Sequence, residues 1–211
     1  MNPYRLYLVT DDQQDLTTLK NVVREAVAGG VTMVQIREKQ ADIGHFIERA
    51  LAVKAVLKHT GVPLIINDRV DVAMAVEAEG VHLGQTDMPV LLARRIMGPD
   101  KIVGLSIETK QQLMEAQYLP VNYLGLSAIF ATSTKTNINT QWGIKGLAEA
   151  VQLSALPIVA IGGINATNLQ AVMATHVEGV ALVSAICHAA CPQQAARHCH
   201  NVLASSVILT H

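Results

Sequence analysis

The chain alternates between two kinds of pattern. Short apolar runs of four to eight residues, rich in Val, Ile and Leu, stop at polar or glycine residues. They are RLYLVTDD (5–12), TMVQIREK (32–39), PLIINDR (63–69), GVHLGQTD (80–87), KIVGLSIET (101–109), YLGLSAIFATSTK (123–135), PIVAIGGIN (157–165) and GVALVSAI (179–186). This is the signature of strands buried on both faces. Between them, apolar residues recur at three-to-four spacing, which predicts helices. DLTTLKNVVREAVAGG (15–30) opens on a capping Asp15 and stops at a glycine pair. DIGHFIERALAVKAVLKHTG (42–61) carries Ile43, Phe46, Ile47, Ala50, Leu51 and Lys54 on one stripe and ends at Gly61. Helical segments 70–80, 88–98, 110–119, 146–155, 167–176 and 192–206 fill the remaining gaps.

Eight strand–helix units in 211 residues predict a (β/α)8 barrel, an α/β fold in one domain spanning 1–211. The competing doubly wound sheet expects fewer strands and a glycine-rich loop after the first; here that loop is VTDDQQD. The core has only two Phe and one Trp and so is aliphatic, as covered parallel strands require. A net charge of −1 gives no reason to expect nucleic acid or an anionic membrane surface. No apolar run has the length of a membrane span, and the N-terminus lacks the pattern of a signal peptide, so a cytoplasmic protein is expected. CHAACPQQAARHCH (187–200) tempts a zinc reading, but Pro192 interrupts it and His198, Cys199 and His200 point different ways on a helix. Buried thiols and surface histidines are the expectation, and three cysteines do not make a disulfide framework.

The barrel explains why strand 63–67 runs straight into Asn67, Asp68 and Arg69, because chemistry in such barrels gathers at the C-terminal strand ends. The same mouth collects the cations Arg37, Lys39 and Lys135 and the carboxylates Asp68 and Asp87. It also collects the neutral groups Gln35, Asn67, Gln85, Ser106, Thr132, Thr134 and Ser184. Carboxylates facing cations are read either as structural ion pairs or as a Mg²⁺ site that bridges to a cation-gripped diphosphate. Gly162–Gly163 and the segment after strand eight suit a second, monophosphate site. His82, inside its strand, is expected to be structural. No arrangement for nucleophilic catalysis is visible, so departure of pyrophosphate with electrostatic assistance fits the inventory.

The motifs LYLVTD, VQIREK (34–39), NDR (67–69), GVHLGQTD, TSTK (132–135), IGGI (161–164) and VSAI (183–186) run through nearly the whole chain and resemble the thiamine-phosphate synthase family. The resemblance implies a transferase of thiamine biosynthesis, joining 4-amino-2-methyl-5-hydroxymethylpyrimidine diphosphate to a thiazole monophosphate and releasing pyrophosphate. It implies Mg²⁺ on Asp68 and Asp87. It places Gln35, Ile36, Arg37, Glu38, Lys39, Asn67, Ser106 and Lys135 on the pyrimidine diphosphate, with Arg37, Lys39, Ser106 and Lys135 in catalysis. Thr132, Ser133, Thr134, Gly163, Val183 and Ser184 would hold the thiazole phosphate. The chain departs from the family at Ser127–Ala128, where Gly-Pro is usual, at Ala131, often Pro, and at Glu79, often Asp. Two other readings stay beside the synthase: a thiazole tautomerase branch with the same barrel and a histidine acid–base, and a non-catalytic phosphate-binding regulator. Whether copies of the chain associate into a homo-oligomer stays open.

Overall fold

The computed structural model describes residues 2–132 and 141–205. Among them, eight parallel strands close into a barrel in chain order. They are β1 (Leu6–Val9), β2 (Met33–Ile36), β3 (Leu64–Asn67), β4 (Gly80–Leu83), β5 (Ile102–Ile107), β6 (Tyr123–Leu126), β7 (Ile158–Ile161) and β8 (Gly179–Leu182). Closure is direct, since β1 pairs with β8 through Tyr7 opposite Ala181 and with β2 through Tyr7 opposite Met33. The outer ring is α1 (Leu16–Ala28), α2 (Ile43–Leu57), α3 (Val70–Ala75), α4 (Val90–Met97), α5 (Lys110–Ala116), α6 (Gly143–Leu153), α7 (Leu169–Met173), α8 (Ser184–Cys187) and α9 (Pro192–Ser205). No helix among the described residues is long and apolar enough to cross a membrane.

Pleating splits each strand into two faces. Leu6, Leu8, Val34, Ile36, Leu64, Ile66, Val81, Leu83, Leu124, Leu126, Val180 and Leu182 belong to the layer between strands and helices. Tyr7, Val9, Met33, Ile65, Tyr123, Val159 and Ala181 form a separate cluster inside the barrel. Continuing the inward alternation brings Gln35, Asn67, His82 and Ser106 to the cavity above that cluster. One pleat therefore supplies both the hydrophobic wall and the polar floor of the mouth.

Local signals act as expected in several helices. The Asp15 carboxylate accepts from the Thr17 and Thr18 amides at the start of α1, and Asp42 accepts from the His45 amide at the start of α2. Thr109 and Gln112 form a reciprocal capping box on α5. Helix α2 ends at Leu57, short of the expected Gly61, because the chain turns through left-handed backbone at His59 (φ 67°) and again at Gly61 (φ 74°). Its buried face also differs from the apolar stripe. Ile43 and Leu51 are about half exposed, whereas Arg49 is buried. The region after β8 forms one short helical turn, α8, before α9 packs against α1. Cys187 and Cys199 are buried free thiols, and burial pushes the Cys187 thiol up to about 12.

Candidate active site

The C-terminal mouth of the barrel encloses a cavity of about 480 Å³. Its lining draws on all eight strands and the loops that follow them. Of the sequence-derived site residues, Gln35, Arg37, Lys39, Asn67, Asp68, Asp87, Ser106, Thr132, Gly163, Val183 and Ser184 border it. Ser133, Thr134 and Lys135 lie outside the described residues.

Two expected ligand residues are placed elsewhere. Ile36 points outward, fully buried in the layer under the helices, because its neighbour Gln35 takes the inward pleat. Glu38 turns away from the cavity to Arg49 of α2, whose Nε donates to its Oε1 at 2.7 Å; both side chains are 3% exposed. Arg49 also donates to the Gln14 carbonyl at 2.8 Å, tying the β1–α1 loop to α2. Burial raises the Glu38 carboxyl above its usual range, and the Arg49 hydrogen bond and charge only partly offset it. Arg69, expected at the mouth, pairs instead with Asp71 two residues on.

The remaining charges form one group. The Lys39 ammonium contacts Asp68 Oδ2. Asp68 sits in left-handed backbone (φ 61°), which Asp tolerates, and its amide donates to the His82 carbonyl at 2.8 Å. This turn swings the carboxylate over the barrel end immediately after β3. Asp87 Oδ2 accepts from the Gly84 amide at 2.6 Å, so the β4–α4 loop folds back to present it. Burial raises the Asp87 carboxyl, and the neighbouring Asp68 raises it further, against the opposing pull of the Gly84 amide and Lys39. Two carboxylates this close disfavour joint ionisation unless a cation joins them. Asp12 supports the cationic side, accepting from the Lys39 amide at 3.3 Å and lying 3.8 Å from the Arg37 guanidinium. Burial works against Asp12 ionising, yet the Gln13 and Lys39 hydrogen bonds and the Arg37 charge hold its carboxyl below the usual range.

On the opposite side, Gly162 (φ 102°) and Gly163 (φ 66°) end β7 in backbone that glycine adopts freely. Packing demands glycine there as well. A Cβ on Gly162 would stand 2.7 Å from Ala128 Cβ, and one on Gly163 would stand 2.5 Å from the Ala131 carbonyl oxygen. The β6 and β7 loops are thus pressed together, with Ile129 and Phe130 amides donating to Ile161 and Gly162 carbonyls at 3.0 Å each. The Ser127–Ala128 peptide, at the departure from the family's usual Gly-Pro, is cis.

Several lining residues escape a reading by motif. Tyr7, His82 and Tyr123 reach the cavity from inside the barrel. His82 is structural in the sense that both ring nitrogens are engaged, Nδ1 with the Tyr123 hydroxyl at 2.8 Å and Nε2 with Ser106 Oγ at 2.9 Å. The signal for them was the pleat itself, since Tyr7 lies one residue from each of the outward Leu6 and Leu8.

A deep mouth with paired acids, flanking cations and a glycine turn opposite suits phosphate chemistry but does not name a substrate. The profile of the family described as "Thiamine monophosphate synthase" matches residues 6–186, nearly the whole barrel. The chain belongs to that family. It is 68% identical over 198 residues to a thiamine-phosphate synthase of Vibrio parahaemolyticus, covering 94% of this chain and 97% of the relative. It is 66% identical, over the same shares, to one from Vibrio campbellii. Among solved structures, thiamine phosphate pyrophosphorylase from Pyrococcus furiosus superposes with a TM-score of 0.87 at 33% identity, covering 98% of both chains. A 3-hexulose-6-phosphate synthase, at 16% identity and a TM-score of 0.72, shares the fold alone.

Proposed function

We propose that this chain is a thiamine-phosphate synthase that joins 4-amino-2-methyl-5-hydroxymethylpyrimidine diphosphate to a thiazole monophosphate, giving thiamine phosphate and pyrophosphate. The observation that carries this reading is the grouping of Lys39, Asp68 and Asp87 at the mouth of a family-matched barrel. That grouping fits Mg²⁺. Burial and the neighbouring Asp68 both raise the Asp87 carboxyl, so the two adjacent carboxylates concentrate negative charge that a divalent cation would neutralise further than Lys39 does alone. Among the described residues no third His, Cys, Asp or Glu completes a protein cage. Mg²⁺ typically accepts one or two carboxylates and takes its remaining ligands from phosphate oxygens and water. Asp68 and Asp87 would hold it, and when bound it would neutralise charge on the departing diphosphate.

The residues of the chain then divide the work. Arg37 and Lys39 offer charge to the diphosphate, a guanidinium fork and a movable ammonium; Asp12 holds Arg37 in place. Lys135 is assigned by motif to the same group. Asn67, Gln35 and Ser106 orient the pyrimidine. Thr132, Gly163, Val183 and Ser184 border the other side, where the thiazole phosphate would sit; Ser133 and Thr134 are assigned there by motif. With pyrophosphate neutralised, the carbon–oxygen bond to the pyrimidine methylene breaks heterolytically and the electron pair leaves with pyrophosphate. The electron-rich aminopyrimidine stabilises the methylene cation, and the thiazole nitrogen attacks it. Catalysis here is positioning and preorganised charge, with no covalent bond to the protein.

The test is to mix both substrates with enzyme and Mg²⁺ and follow thiamine phosphate and pyrophosphate together. Equimolar formation of the two is expected. Interconversion of thiazole isomers without pyrophosphate release would establish the tautomerase instead, and binding without turnover would establish the regulator.

A further inference from the structure

Five side chains from five strands form one hydrogen-bonded chain across the barrel, directly under the cavity. Gln35 Nε2 of β2 donates to the Tyr7 hydroxyl of β1 at 2.6 Å. The Tyr7 and Tyr123 hydroxyls meet at 3.0 Å. The Tyr123 hydroxyl of β6 meets His82 Nδ1 of β4 at 2.8 Å, and His82 Nε2 meets Ser106 Oγ of β5 at 2.9 Å.

Each link holds one proton, so the first link sets the sense of the rest. A phenol has a single donor hydrogen. Tyr7 accepts from the Gln35 amide; were it to accept from Tyr123 as well, its own buried proton would be left without a partner, so that proton serves Tyr123. Tyr123 then donates to His82 Nδ1, which must be the unprotonated nitrogen. A neutral His82 therefore carries its proton on Nε2 and donates it to Ser106 Oγ. The ends of the chain are thereby fixed with opposite character. Gln35 has turned its amide nitrogen inward and presents Oε1 as an acceptor, while Ser106 keeps its hydroxyl proton to give to a ligand. Reversing either end requires reversing every bond between them.

We infer that Tyr7, Tyr123 and His82 are positioning residues that fix Gln35 as an acceptor and Ser106 as a donor, so that the cavity floor selects a ring edge bearing an amino group beside an unprotonated nitrogen. This rests on the placement of the pyrimidine against Gln35 and Ser106 in the proposed function. The edge of a 4-aminopyrimidine supplies an amino donor and the N3 lone pair, the complement of the floor. A 4-oxo ring supplies a carbonyl and an N3–H, the inverse, and would face an acceptor with an acceptor.

The barrel is built to hold this chain. A Cβ on Gly104 would stand 2.2 Å from Tyr123 Cζ and 2.5 Å from His82 Nδ1, and one on Gly125 would stand 2.9 Å from His82 Cε1. The two glycines leave the space in which the His82 and Tyr123 rings stack, with centroids 5.4 Å apart and planes 30° apart. Tyr7 meets the Tyr123 ring edge-on at 6.0 Å and 75°. The phenols are 1% and 0% exposed, and burial drives both far above the usual phenol range. Both phenols therefore keep their protons around neutrality. Discrimination of this kind is strong, since the wrong partner leaves buried polar groups unpaired.

Calorimetric binding of the 4-aminopyrimidine diphosphate and its 4-oxo counterpart, in Mg²⁺, tests the inference on the wild-type chain, Tyr7→Phe and Tyr123→Phe. Inorganic pyrophosphate serves as the ring-free control. The wild type should prefer the amino ring by roughly a hundredfold or more. Each variant should lose at least about tenfold of that preference, with pyrophosphate binding unchanged. If the wild type binds pyrophosphate but does not distinguish the rings, the placement of the pyrimidine is wrong and the inference goes with it. If the wild type distinguishes them and both variants do so equally, the placement stands and the positioning role alone is overturned. An independent readout needs no variant. ¹⁵N NMR of the wild type should show His82 protonated on Nε2 with Nδ1 bare; the opposite tautomer would reverse the sense of the chain and refute the assignment.

Discussion

Glu38 stands between two charged residues of a motif and yet serves the scaffold, which makes it the sharpest residue-scale test of the site. Buried beside Arg49, it belongs to an ion pair whose partners are both desolvated. Removing one member leaves the other as an uncompensated buried charge, which costs about 3–5 kcal/mol, whereas replacing both with apolar groups is often neutral. Arg49→Met should therefore lower the unfolding free energy by about that amount, and Arg49→Met with Glu38→Leu should recover most of it, measured by urea denaturation. Equal losses in single and double variants would show that Glu38 acts otherwise. Asp87→Asn should behave oppositely, keeping the fold while lowering turnover by roughly a hundredfold or more, as expected for loss of a metal ligand that stabilises leaving-group charge. Near-normal turnover would return Asp87 to a purely structural role. The sequence made Asp68, Asp87 and Lys39 legible because strand ends of a barrel must converge. It mislaid Ile36 and Glu38 because a contiguous motif conceals the pleat, which sends alternate residues to opposite faces. Arg49 was hidden for a related reason, since an apolar stripe on α2 gives no hint that a cation is buried within it.

At the scale of elements, the β7–α7 turn carries more constraint than a phosphate site alone would impose. Gly163 has a positive φ and a Cβ direction blocked by the Ala131 carbonyl oxygen and Phe130. Gly163→Ala should therefore do two things together. It should destabilise the protein by about 1–3 kcal/mol through backbone strain and overpacking, and raise the Michaelis constant for the thiazole phosphate, because the β6 and β7 loops would separate. The checks are thermal unfolding and steady-state kinetics with each substrate varied in turn. A raised Michaelis constant for the pyrimidine diphosphate alone would reverse the assignment of the two anion sites. The eight strands and most helices were readable from periodicity because each strand sits between the same two layers. Element ends were less so. Helix α2 stops early because His59 enters left-handed backbone, a choice that tertiary packing makes and that residue type does not announce. The β6 loop packs closely on Gly162, a contact between loops far apart in sequence.

The whole molecule is a closed barrel whose core is complete without a metal, so cation binding should appear as a linkage effect confined to the mouth. Asp68 and Asp87 are the adjacent pair of carboxylates there, and Asp68 already faces Lys39. A Mg²⁺ ion arriving alone must compete with that ammonium and find its other ligands in water. Pyrophosphate arriving alone meets Arg37 and Lys39 but also the negative charge of Asp68 and Asp87. Together the two satisfy one another: phosphate oxygens complete the metal's shell, the metal screens the carboxylates, and Lys39 is released to the anion. Neither ligand alone should therefore stabilise the fold much, while both together should. At about a hundredfold excess over the dissociation constant, linkage contributes about 2.7 kcal/mol, and a domain of this size shifts by roughly 2–4 °C per kcal/mol. Thermal unfolding should accordingly move up by roughly 5–10 °C with Mg²⁺ and pyrophosphate together and fall back on chelation. Asp68→Asn, whose side chain also tolerates left-handed backbone, should abolish the joint shift and leave the metal-free melting temperature near that of the wild type. A full shift with Mg²⁺ alone would mean that the protein provides a complete cage, which two carboxylates cannot form, and would overturn the division of ligands between protein and diphosphate.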